Sequence, residues 1–179
     1  MIRFRIHRFK QIDSTNRAAL RYAKRGAPPG SVFVAEYQTQ GRGKWGRHWV
    51  SPRGKNLLFS LLLKPKLKAS QAPLVTQLAC RSVAKIISRR FKLHPTFKRP
   101  NDILVQGNKI CGVLVEAEGR VSGHLDNLVI GIGVNVNAAK EELVPGATSL
   151  REETGQKHSK ASLLRDILAQ LKKDLNGWD

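Results

Sequence analysis

The chain opens on strict alternation. From Met1 to Phe9 the apolar side chains Ile2, Phe4 and Ile6 fall on one side and Arg3, Arg5 and His7 on the other. A period of two predicts a half-buried strand. An Arg-rich, acid-poor start is also the mark of a mitochondrial targeting helix, but such a helix would not alternate so strictly. Asp13, Ser14, Thr15 and Asn16 supply N-caps for a short helix to about Lys24, stopped at Gly26 and broken by Pro28-Pro29-Gly30. Ser31 to Tyr37 reads as a strand, and Gln38 to Lys55 as a long loop rich in Gly and Arg. Asn56 to Leu63 is almost continuously apolar, which predicts a strand buried on both faces, ended by Pro65. Ser70 to Phe91 predicts a helix with Pro73 in its first turn, Leu74, Leu78, Val83 and Ile87 on one stripe, and Arg81, Lys85 and Arg89 away from it. Two or three strands follow, around Thr96-Phe97, Lys109 to Ala117 and Leu125 to Val136, with turns at Gly107-Asn108 and Glu118-Gly119. Ser159 to Asn176 predicts a last amphipathic helix carrying Leu163, Leu164, Ile167, Leu168 and Leu171. Hairpin-like runs beside isolated helices predict an α+β fold, a mixed sheet with helices packed on one side. No linker divides the chain, so residues 1–179 are expected to form one domain.

Charge narrows the partners. Lys and Arg number 32 against 13 Asp and Glu, a formal net charge of +19, which attracts nucleotides, nucleic acid, acidic proteins or anionic lipid. Apolar runs such as Leu61-Leu62-Leu63 fall far short of the ~20 residues a membrane span needs, and no apolar secretory segment follows the first residues. Two cysteines, Cys80 and Cys111, exclude a disulfide scaffold and a four-cysteine zinc site and fit a reducing cytoplasm. The histidines (His7, His48, His94, His124 and His158) are scattered without ligand spacing, so no protein-held metal is expected.

Gly41 to Lys55 holds Arg42, Lys44, Arg47, Arg53 and Lys55 and no acid. Its mutually repelling cations should stay restless until an anion binds, while its glycines let the backbone approach that anion. Trp45 and Trp49 could cover an organic ligand. Gly41 to Gly46 formally matches G-x-G-x-x-G, but it leads to Pro52 and a strand, and no acid lies between Glu36 and Asp102, so it is no dinucleotide motif. Alone, the loop reads equally as a solvated basic segment or a nucleic-acid patch. A second cluster begins at Lys98, where Pro100-Asn101-Asp102 makes a tight turn. Gly112 within Lys109 to Glu116 is costly unless a ligand nears the backbone. Gly131 and Gly133, two apart on one strand face, leave a groove, with Asn135 next on that face. Cys111 could be a nucleophile but reads more readily as a small core residue.

Asp13-Ser-Thr-Asn16, Gln38-Thr-Gln-Gly-Arg-Gly43, Gly46-Arg-His-Trp49 with Ser51-Pro52, Lys98 with Pro100-Asn-Asp102, Lys109-Ile-Cys-Gly112 with Glu116, and Gly131 to Asn137 recur in one order. With Ala147-Thr-Ser-Leu150 and the last helix, the pattern resembles the catalytic domain of the biotin protein ligases along nearly the whole chain. The resemblance implies a fold like class II aminoacyl-tRNA synthetases, a mixed sheet flanked by helices. It implies two steps: biotin and ATP give biotinyl-5′-AMP, and a lysine of biotin carboxyl carrier protein then takes the biotin. It assigns biotin to Ser14, Thr15, Asn16, Gln38, Gly41, Arg42, Lys109, Gly112, Leu114, Gly131 and Gly133. It assigns ATP or AMP to Arg42, Lys44, Arg47, Trp49, Lys98, Asn101 and Asn135, with Trp49 near the adenine. Arg42, Lys109 and Lys98 become the catalytic cations, and Mg²⁺ accompanies ATP on phosphates and water. A cytoplasmic enzyme follows; a homodimer is allowed, and neither membrane nor nucleic acid is implied. Two departures stand out: the family usually has Arg where this chain has Lys44 and Trp where it has Arg99. Neither a preceding helix-turn-helix nor a following β-barrel is expected, which bears most on carrier docking. Two rivals remain: a lipoate or octanoate ligase or transferase, for which Cys111 could hold the acyl group, and a nucleic-acid-binding module that lost catalysis.

Overall fold

The computed structural model describes residues 2–65, 67–118 and 125–176. Its strands are β1 (Arg5–Phe9), β2 (Ser31–Ala35), β3 (Leu57–Leu63), β4 (Pro95–Lys98), β5 (Asp102–Val105), β6 (Asn108–Glu118) and β7 (Asn127–Val134). Among the described residues they form one seven-stranded sheet in the order β1-β2-β3-β7-β6-β5-β4. Only the β1–β2 pair is parallel, so the mixed sheet is as expected. The helices are α1 (Thr15–Lys24), α2 (Ala72–Phe91), α3 (Leu150–Thr154) and α4 (Lys160–Asp174).

The helices lie on both faces of the sheet rather than on one, and strand alternation explains how. Leu57, Phe59, Leu61 and Leu63 of β3 join Val75, Ala79, Val83 and Ile87 of α2 and Leu163, Ile167 and Leu171 of α4 in one apolar core. Leu62 turns the other way, with Phe33 and Val129, onto Ala18, Ala19 and Ala23 of α1. Alanines on that helix let its backbone approach the sheet closely. The apolar stripe of α2 is rotated from the expected one: Val75 is buried and Leu74 is half exposed.

Two elements escaped the sequence reading. β5 is only four residues long, between the Pro100-Asn101 turn and a tight hairpin at Gln106-Gly107, where both residues take positive φ (50° and 80°). The one-turn helix α3 starts from Ser149, whose hydroxyl accepts the Glu152 N–H. The first strand begins at Arg5, and β2 ends at Ala35, shorter than the alternation suggested. Met1, Gly119 of the Glu118-Gly119 turn and His124 lie outside the described residues.

Candidate active site

Each central strand divides its side chains between two environments. On β6, Cys111 and Val113 enter the core under α2 and α4, while Gly112 and Leu114 border an open cavity of about 370 Å³. On β7, Ile130 and Val134 take the core side, and Gly131 and Gly133 border the cavity. The start of α1, the flap at Gln38–Trp49 and the β4–β5 turn close the cavity's rim.

One end is neutral and built from paired hydrogen-bonding groups. The first amides of a helix have no partner within it, and here Gln38 answers the need: its Oε1 accepts from Thr15 N–H (2.7 Å) and Thr15 Oγ–H (3.0 Å). Asn16 Nδ2 donates to the Leu114 carbonyl (3.2 Å) and to Glu116 Oε2 (2.8 Å). Ser60 Oγ lies 2.8 Å from Thr15 Oγ and 2.5 Å from Asn16 Oδ1, its single proton serving one of them at a time. Ser14, Thr15, Asn16 and Ser60 are all buried.

The other end is cationic. Arg42 Nη1 sits 2.8 Å from Glu116 Oε1, and Lys109 Nζ sits 2.7 Å from Asp102 Oδ1. The Lys109–Asp102 contact is charge pairing without an aligned hydrogen bond. The expectation of a loop of unpaired cations is therefore corrected for Arg42, whose counter-charge comes from β6. Lys44, Arg47, Lys98 and Arg99 line the same cavity and form no ion pair among the described residues. The flap is folded back on itself: Trp49 N–H donates to Gly41 O (3.0 Å) and Gly43 N–H to Arg47 O (2.7 Å). At its tip Trp45 has φ 56°, is 71% exposed, and lies within reach of Lys44 (5.0 Å) and Arg47 (5.8 Å).

The glycines have a different cause from the one expected. A Cβ on Gly112 or Gly133 would lie 2.8 or 2.6 Å from the Trp49 ring, and one on Gly131 only 2.1 Å from Asn16 Oδ1. These glycines make room for two side chains of this chain, and the Trp49 indole occupies the groove floor with Nε1 buried and unpartnered. Lys109 Nζ stands 5.3 Å from the centre of the same ring.

Of the residues singled out from the sequence, Ser14, Thr15, Asn16, Gln38, Arg42, Lys44, Arg47, Trp49, Lys98, Asn101, Lys109, Gly112, Leu114, Gly131 and Gly133 share this cavity. Gly41 and Asn135 do not line it. Gly41 lets the flap close, since its Cβ would meet Trp49 O at 2.4 Å. Asn135 lies just past the end of β7, between Val134 and Val136 of the core, and falls beyond the cavity. Its amide donates to Thr148 O (3.0 Å) and Lys109 O (3.4 Å) and accepts from Asn56 (3.0 Å), bracing the strand ends. Asn101 also has a structural duty, donating to Val113 O at 2.8 Å. Cys111 faces the core, where burial pushes its thiol well above the usual range, with Cys80 beside it; burial takes Cys80 up to about 12. Neither is a ready nucleophile.

Three contributors were missed. Ser60 was visible as the lone hydroxyl in Leu57–Leu63, on the face opposite Phe59. Glu116 and Asp102 were read only as parts of motifs, and no local pattern marks them as partners of Arg42 and Lys109.

A model described as the biotin/lipoate A/B protein ligase family matches residues 8–135. Over 161 residues the chain is 36% identical to the bifunctional ligase/repressor BirA of Bacillus spizizenii, covering 88% of this chain and 49% of that protein. Over 173 residues it is 35% identical to the biotin--[acetyl-CoA-carboxylase] ligase of Paracoccus denitrificans, covering 88% and 67%. The solved structure of biotin protein ligase from Aquifex aeolicus in complex with biotin and ATP is similar with a TM-score of 0.79 at 33% identity, covering 95% of this chain and 69% of that one. The chain thus spans about half the length of the Bacillus relative.

Proposed function

The chain belongs to the biotin/lipoate A/B protein ligase family, and from that premise we propose that it converts biotin and ATP to biotinyl-5′-AMP and then passes the biotinyl group to a lysine of biotin carboxyl carrier protein. In the first step a biotin carboxylate oxygen attacks the α-phosphorus and pyrophosphate leaves. In the second the lysine amine attacks the activated carbonyl, AMP leaves, and the amine gives up a proton. Neither step needs a protein nucleophile; both need reactants held in line and fixed positive charge where negative charge gathers.

The observation that carries this reading is one cavity lined both by the hydrogen-bonding groups of Ser14, Thr15, Asn16 and Gln38 and by the cations Arg42, Lys44, Arg47, Lys98 and Lys109. Ser14, Thr15, Asn16 and Gln38 suit a ureido ring, which offers both donors and acceptors, with Leu114 beside it. Arg42 and Lys109 suit the junction of carboxylate and α-phosphate. Lys44, Arg47, Lys98 and Asn101 suit the nucleotide, and the cationic mouth suits an acidic carrier. Mg²⁺ would enter as the salt of ATP, held mostly by phosphates and water, as a hard cation that keeps several waters. Among the described residues no helix is long and apolar enough to cross a membrane, and two buried free thiols suit the cytoplasm as the place of reaction.

The placement of Cys111 in the core weighs against an acyl-cysteine route in a lipoyl or octanoyl transferase. Biotin-dependent exchange of pyrophosphate into ATP, run beside lipoate and octanoate, tests the proposal. Exchange with biotin alone is the expected result. Exchange only with lipoate or octanoate moves the chain to another acid, and exchange with none of the three removes the activity.

A further inference from the structure

One carboxylate joins the two ends of the cavity. Glu116 lies in the part of β6 beyond the reach of β5, which pairs only as far as Gly112. Its Oε2 accepts from Asn16 Nδ2 and its Oε1 pairs in charge with Arg42 Nη1, both at 2.8 Å. Asn16 meets Ser60, Ser60 meets Thr15, and Thr15 donates to Gln38. A continuous polar chain therefore leaves the flap at Arg42, crosses the sheet and re-enters the flap at Gln38.

Two features set Glu116 apart from a chance surface partner. No acid occurs between Glu36 and Asp102, so the flap cannot neutralise its own guanidinium. Glu116 is also held from the buried side by Asn16, so its position does not depend on Arg42. Arg42 engages it through one nitrogen, leaving other N–H donors for a ligand.

We propose that Glu116 is a positioning residue: it fixes Arg42 at the junction of acyl and phosphate groups and couples filling of the acyl end to binding at the nucleotide end. This rests on the function proposed above. A ligand bonded to Thr15 and Asn16 steadies Asn16, Asn16 steadies Glu116, and Glu116 holds Arg42 ready for the second anion. The coupling is reciprocal, since each ligand must favour the other by the same factor.

Glu116→Gln discriminates, because an amide has one accepting oxygen. If that oxygen stays with Asn16, an NH₂ group faces the guanidinium and Arg42 is released. Two measurements test the proposal. In the ligand-free protein, exchange of the Gly43 and Trp49 amides in the flap should quicken about tenfold in Glu116→Gln while β3 and β7 amides keep their protection. In titrations with a non-hydrolysable ATP analogue, biotin should strengthen nucleotide binding to the parent. That enhancement should fall to about one in Glu116→Gln and be partly restored in Glu116→Asp, which keeps the charge on a shorter arm. Unchanged flap exchange overturns the proposal. So does an equal weakening of biotin and analogue with coupling intact, the mark of a mere brace, and so does tighter analogue binding in Glu116→Gln, the mark of a competing counter-ion. A parent without biotin-dependent pyrophosphate exchange removes the functional reading and the coupling with it. The amide-exchange arm still decides whether Glu116 tethers the flap.

Discussion

β3, β6 and β7 each present one face to α2 and α4 and the other to α1 and the cavity, and the two faces are held by different kinds of force. Toward α2 and α4 the contacts are apolar and interchangeable in kind: Phe59, Leu61, Ile130 and Val113 each contribute by the area they remove from water. Toward the cavity the buried polar side chains at the start of α1 have particular partners far away in the sequence. Asn16 and Glu116 are 100 residues apart, and Thr15 and Ser60 are 45. The first face sums its contributions. The second works as a unit, because losing one member leaves another unsatisfied. Substitutions on the two faces should therefore fail in different measurements.

The largest effect belongs to the core face. Phe59 is fully buried, and Phe59→Ala should lower the free energy of unfolding by about 3–5 kcal/mol. Denaturant titration reads this directly, and pyrophosphate exchange measured well below the unfolding transition should change little. Next comes Lys109→Ala on the cavity face. Loss of one fixed charge at a developing anion should slow the exchange by about 10²–10³-fold. Stability should fall by about 1–3 kcal/mol, less than for Phe59→Ala, because the buried Asp102 Oδ1 loses its counter-charge. If Phe59→Ala cut the exchange rate as deeply as Lys109→Ala at equal folded fraction, the division of labour between the faces would be wrong.

A smaller change probes the boundary between them. The Cβ of Gly133→Ala would lie 2.6 Å from the Trp49 ring, so the indole must leave the groove floor or the strands must part. Overpacking of this kind costs about 1–3 kcal/mol. Tryptophan emission should shift to the red as Trp49 meets water, and a Trp49→Phe background should lose that shift. An unshifted spectrum would mean that strand adjustment absorbs the methyl group and that the glycine is not there for the indole.

The same division explains what could be read from the sequence. The core face follows from period: Leu57–Leu63 and the leucines of α4 announce burial by spacing alone. The cavity residues were found through short motifs in a fixed order, and most of them line one cavity, but the motifs do not name their partners. That Gly131 accommodates Asn16, and that Glu116 neutralises Arg42, depends on strand register, which no local window contains. Asn135 shows the converse, for a residue next to the motif's glycines braces strand ends instead of lining the cavity. Periodicity alone put the helices on one face because α1 buries alanines, a signal too weak to name a face, whereas the family resemblance gave a sheet flanked by helices.

The smallest expected effect concerns polar groups on the core side, and it sharpens the contrast. Asp174 near the end of α4 accepts from Ser82 (2.7 Å) and Gln170 (2.9 Å) and pairs with Lys85 (3.1 Å), clasping α4 to α2. Burial works to raise its pKa, but the hydrogen bonds from Gln170, Ser82 and Lys85 together outweigh burial and hold the carboxyl below its usual range. A carboxyl depressed on folding stabilises the protein above its unfolded pKa of about 3.9 and loses that contribution as pH falls through the lower folded value. The parent should therefore exceed Asp174→Asn in stability by about 1 kcal/mol at pH 6, and the gap should shrink below about pH 4. Pyrophosphate exchange at neutral pH should be the same in both, because the clasp lies on the side of the sheet that carries no chemistry. An exchange rate that fell with Asp174→Asn while stability at pH 6 held would show that packing on this side reaches through the sheet to set Arg42 and Lys109.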